Sequence, residues 1–160
     1  MLARTTTVTP VVAPLTEVMG YQNAEVVARF ANKLGLDEAG AAQLFEDTKR
    51  YLYLSGINVQ GNPRLAPPAK VDKGWHEFIL YTEDYAAFCK KYLGRFIHHH
   101  PRRTTDASDG GSTLRFTIGL ATATFGELSA NWEVPSKDRS DCTTNCCSEG
   151  DPCHGDDPVA

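Results

Sequence analysis

No stretch of this chain approaches the ~20 consecutive apolar residues that a bilayer-spanning helix needs, so no membrane association is expected. The first twenty residues, MLARTTTVTPVVAPLTEVMG, also lack the continuous apolar segment of a secretory signal peptide. Acidic residues are absent before Glu17, which makes an organellar transit peptide the weaker alternative to a cytoplasmic location. Residues 1–135 have no excess charge, with 14 basic and 14 acidic side chains. A neutral body gives no electrostatic reason to expect a nucleic-acid or anionic-membrane partner. The formal charge of −4 sits on residues 136–160, where Lys137 and Arg139 meet six carboxylates. Nowhere do two cysteines stand in the C-x2-C spacing of a zinc ribbon. No oxyanion or third-residue signature accompanies a Cys/His pair, so a nucleophilic enzyme ranks last. Five cysteines without an export signal favour reduced thiols or metal thiolates over structural disulfides.

With 160 residues there is room for one domain with a hydrophobic core, flanked by tails. Residues 1–20 are rich in Thr, Val and Pro and read as an irregular arm. Asn23 is a good N-cap for a helix over Ala24–Leu34, whose Val26, Val27, Phe30 and Leu34 recur at helical spacing, with Gly35 at the stop. Asp37 caps a second helix to about Leu54, with Gly56 as its end. Lys49 and Arg50 in its C-terminal half complement the helix dipole. Pro and Gly residues make 57–70 a loop. A third helical stretch begins at Asp72, breaks at a capping Thr82, and continues through Cys89 and Tyr92 to Gly94. Pro101 keeps the histidines before it out of a helix. Thr113–Phe125 fits either a strand or a helix; a lone strand would be unpaired, which favours the helix. The expected fold is all-α, a domain of four or five helices over 21–135 with a disordered acidic tail at 136–160.

Between Asp72 and Pro101 lie four of the five histidines, one cysteine and seven of the fifteen Phe, Trp and Tyr side chains. Asp72 and His76 stand four residues apart, hence on one helical face. That spacing suits two ligands of one metal or a carboxylate orienting an imidazole. Gly94 can turn His98 and His99 back along the helix, and Cys89 lies on a successive turn. A site built from His76, His98 or His99 with Cys89 or Asp72 is the leading expectation. Thiolate would favour zinc, while carboxylate would admit iron or manganese. The plainer interpretation makes Trp75, Phe78, Tyr85 and Phe88 core, His76 a bonded imidazole and Cys89 an inert hydrophobe.

Asp72, Trp75-His76, Phe78-Ile79-Leu80, Thr82, Tyr85, Phe88-Cys89, Gly94 and His98-His99 with Pro101 together resemble a family of short, uncharacterised bacterial proteins. Their shared pattern is D-x-x-W-H-x-F-I-L-x-T-x-x-Y-x-x-F-C, then a Gly, then paired His and Pro. The Trp-His with downstream Tyr and Cys is also distantly similar to the domain of plant glycine-rich domain proteins. The resemblance extends from Gln43 to Trp132 and implies a mostly helical domain, with no activity attached. His100 departs from the pattern, standing where an apolar residue is expected.

The other four cysteines, Cys142, Cys146, Cys147 and Cys153, occupy the tail with His154. They are candidate ligands for zinc or copper(I). The function expected from the sequence is metal binding or metal handling. One alternative is an interaction or scaffold module using residues 1–20 or 136–160 to hold a protein partner. Another is a substrate whose tail cysteines are modified.

Overall fold

A computed structural model describes residues 11–58, 62, 64–100 and 111–134. Six α-helices form, and no strand occurs among the described residues. They are α1 (Leu15–Met19), α2 (Ala24–Leu34), α3 (Glu38–Ile57), α4 (Ala69–Ile79), α5 (Thr82–Phe88) and α6 (Ser112–Phe125). A π-turn at Cys89–Leu93 extends α5, and a 3-10 turn at Ala130–Trp132 follows α6. The all-α expectation holds, and Thr113–Phe125 is helical. The expected tail at 136–160 and the Pro101 boundary lie outside the described residues.

Local chemistry sets several boundaries. The Asn23 side chain accepts from the Val26 N–H, and Gly35 closes α2 in the left-handed region at φ 65°. Asp37 caps α3 by accepting from Gly40. Thr82, by contrast, is the first residue of α5 and makes no capping hydrogen bond; the chain breaks at Leu80–Tyr81. Gly56 does not terminate α3. It lies inside the helix, at a close approach where a Cβ would stand 3.3 Å from Leu93 and 3.5 Å from Val12.

The long α3 is the axis of the fold: α1, α2, α4 and α6 all pack against it. Phe78 of α4 sits at the centre, with the rings of Phe45, Tyr85 and Phe88 between 5.2 and 5.5 Å away. At Gly74, α4 comes so close to α3 that a Cβ would lie 2.6 Å from Thr48 Oγ1.

Part of the arm belongs to this core. Residues 15–19 form a helix rather than an irregular segment, and Val18 is fully buried. The physical reason is Lys49, whose ammonium is completely buried. It donates to the Met19 and Tyr21 carbonyls, both at 2.8 Å, and to Glu46 at 2.7 Å. The lysine thus caps the C-terminal end of α1, where carbonyls lack helical partners. Ala13 N–H donates to the Tyr92 carbonyl and fastens the arm to the π-turn. Arg95 does similar work for α3, donating to the Ser55 carbonyl at 2.6 Å.

Candidate metal centre

The chain leaves the π-turn through Gly94, at φ 66°, and residues 95–100 run back along α4 without helical structure. Side chains alternate along this extended segment. Ile97 is buried and His99 largely so, while Phe96, His98 and His100 face outward.

A hydrogen-bonded relay holds the segment in place. Trp75 Nε1–H donates to the Tyr85 hydroxyl at 2.9 Å, and that hydroxyl donates to the Ile97 carbonyl at 2.6 Å. Both bonds are buried, so each offsets a desolvation cost that an unpaired group would bear in full. The Trp75 ring also packs against His99, centroids 4.5 Å apart. Through these contacts the segment's inward histidine is delivered over α4.

There it meets Asp72 and His76. His99 Nε2 lies 2.9 Å from Asp72 Oδ1, and His76 Nδ1 lies 3.4 Å from Asp72 Oδ2. The two imidazole rings are 4.2 Å apart. One ligand atom from each of the three residues falls within 4.8 Å of the other two. Ligands about 2.0–2.2 Å from a shared tetrahedral ion stand about 3.3–3.6 Å apart, a spacing these side chains reach by a small adjustment. Asp72, His76 and His99 could therefore hold a metal ion. The site opens to solvent on the His76 side, whose side chain is half exposed.

Cys89 and His98 stand outside this group. Cys89 is buried a layer deeper, with a backbone hydrogen bond from Ile97 and a side-chain hydrogen bond with Tyr85. His98 falls on the outward register and stacks on Phe96, ring centroids 4.8 Å apart. Cys142, Cys146, Cys147, Cys153 and His154 lie outside the described residues. Sequence reasoning puts Trp75 in the core and Tyr85 either there or beside the site, and gives neither a hydrogen-bonding role. The signal was available: indole and phenol both carry polar atoms that need partners when buried.

Two predictions arise from this layer. Tyr85→Phe leaves the Trp75 N–H and the Ile97 carbonyl unpaired, and is expected to cost about 2–4 kcal/mol in urea unfolding. A loss under about 0.5 kcal/mol would show that the relay does not hold the segment. The second concerns alkali. Burial pushes the Tyr51 and Tyr85 hydroxyls and the Cys89 thiol above their ordinary ranges. All three are neutral when protonated, and the folded state holds their protons more tightly than the unfolded chain. Their contribution is complete below the unfolded values, about 8.5 for cysteine and about 10 for tyrosine. It declines as pH rises beyond them, with a limiting slope of ~1.4 kcal/mol per pH unit per group. The urea midpoint should hold between pH 7 and 8 and drop above about pH 9. A flat profile to pH 11 would contradict this.

No helix among the described residues is long and apolar enough to cross a membrane. No curated protein and no solved structure matches the chain. The family profile of the UCP032817-like proteins does match, over residues 21–121. That span takes in α2 to α5, the relay and all three converging side chains, and the chain belongs to the UCP032817-like family.

Proposed function

We propose that this protein binds and handles a divalent transition metal through Asp72, His76 and His99. The observation that carries the reading is the convergence of their three ligand atoms, drawn from two separate segments. Two imidazoles and one carboxylate form a borderline donor set that zinc and iron(II) both accept. Zinc is the first choice, because it takes three protein ligands plus an open position without any redox demand. Three donors with a solvent-facing side describe a centre that exchanges ligands, in contrast to a closed structural site. Chelation of exposed acidic groups alone is a weaker account, since it would not need His99 delivered by a buried relay.

The test is metal content after equilibrium dialysis against zinc under reducing conditions, on the untagged full chain. His99→Ala and His76→Ala should each lower bound zinc by about one equivalent per chain, a stoichiometry set by one three-residue centre. Identical zinc content in wild type and both variants would remove the site from consideration.

A further inference from the structure

We infer that the open position of the Asp72/His76/His99 centre takes a small organic carboxylate, held between the metal and Lys73. This rests on the metal reading above and names the ligand class of its exchanging position.

The side on which the centre opens follows from the order of side chains around α4. Each residue turns the helix by about 100°, so with Asp72 at zero Trp75 lies near about −60°. On the other side His76 lies at about +40° and Lys73 at about +100°. Leu80 keeps helical torsion angles, φ −64° and ψ −22°, and continues the series at about +80°. His99 arrives from the Trp75 side, where its ring packs 4.5 Å from the indole. That flank of Asp72 is therefore covered. The opposite flank runs past the half-exposed His76 to Lys73 and Leu80, which are both exposed. A metal held by the three residues turns its free position toward Lys73.

The charges on that flank call for an anion. Two neutral imidazoles and one carboxylate leave a divalent ion with one uncompensated positive charge. Lys73 adds another, one turn from His76. Helical spacing offers Lys73 the carboxylate of Glu77, four residues on, but Glu77 is paired with Arg29 of α2 instead. Among the described residues no carboxylate lies within ion-pair distance of Lys73, whereas Lys49 and Arg50 each have one.

Leu80 narrows the class of anion. It is 61% exposed and lies about 6 Å along the axis from His76. A carboxylate can place one oxygen on the metal, accept from the Lys73 ammonium with the other, and lay an alkyl group against Leu80. Phosphate meets the two charges but gains nothing from the leucine. The exchange is balanced: one oxygen–metal bond forms, one metal-bound water leaves, and no proton or electron is transferred.

Titrating hexanoate, acetate and phosphate into the cobalt(II)-loaded full chain tests this, because cobalt's visible bands change with its ligands. Cobalt is kept saturating, and the Asp72→Ala chain serves as the blank, so only cobalt in the centre is read. Hexanoate should shift the bands saturably, one per centre, and bind about 10-fold more tightly than acetate. Lys73→Met should weaken hexanoate by about 5- to 10-fold. Leu80→Ala should bring hexanoate close to acetate while leaving acetate unchanged. Phosphate binding more tightly than hexanoate would overturn the carboxylate assignment. Equal hexanoate affinity in wild type and Lys73→Met would overturn the role of the lysine, and the inference with it. Bands that respond to none of the three anions would do the same and leave the metal reading standing. If wild type and Asp72→Ala hold the same cobalt with the same spectrum, the metal reading itself fails.

Discussion

Replacing Asp47 with alanine is expected to lower the free energy of unfolding by about 3–5 kcal/mol, the largest single-residue effect in the body. The carboxylate is completely buried, yet none of its bonding capacity is wasted. Oδ2 accepts from Ser129 at 2.6 Å, Asn131 at 2.9 Å and Gln43 at 3.3 Å. Oδ1 accepts from the Trp132 indole at 3.0 Å and faces Arg50 at 3.6 Å. Alanine would leave a cavity ringed by donors, including a buried indole N–H with no acceptor. Three of those donors belong to residues 129–132, so the penalty falls on the turn that closes the domain against α3 and α4. Urea denaturation followed by tryptophan fluorescence measures it directly. A loss below about 1 kcal/mol would mean that water replaces the carboxylate and that the turn is held by apolar contacts alone. Asp47→Asn should fall between the two, because the amide keeps one accepting oxygen and turns its NH2 toward donors.

Asp47 shows why some of this molecule could be read from sequence and some could not. In the string Glu46-Asp47-Thr48-Lys49-Arg50 it looks like one charge on a solvated helix face. Its decisive partners lie 82 to 85 residues away, and no periodicity announces them. Lys49 misleads in the same manner: it reads as a complement to the α3 dipole, but its ammonium is buried at the end of α1. That contact and the burial of Val18 both join α1 to residues distant in sequence, which is why the arm looks irregular from its sequence alone. Caps are different because their chemistry is local. Asn23, Gly35 and Asp37 each act within four residues, and each is found where its side chain or φ requires. The candidate site is divided along the same line. Asp72 and His76 share a face because four residues make about one helical turn. That His99 joins them, and that His98 and Cys89 do not, depends on the register of an extended segment fixed by Tyr85 and Ile97.

Asp72→Ala should behave in the opposite way to Asp47→Ala, costing little without metal and everything with it. The Asp72 side chain is about one-third exposed, and its pairing with His99 and His76 is partly solvated. Such pairs contribute roughly 0–1 kcal/mol, so the metal-free variant should unfold close to wild type. Zinc changes the comparison. A ligand that binds only the folded state at 100 times its Kd adds about 2.7 kcal/mol, near 10 °C in melting temperature for a domain of this size. Asp72 touches both imidazoles, so its loss removes the one oxygen donor and the group that orients the two nitrogens. The zinc-dependent rise in melting temperature should therefore vanish in Asp72→Ala. Tail cysteines that bind zinc independently would not mask this, because ligands equally available in the unfolded chain do not shift the equilibrium. A zinc-dependent rise of the same size in the variant would place the stabilising metal elsewhere. Asp72 would then be a surface carboxylate that happens to meet two histidines.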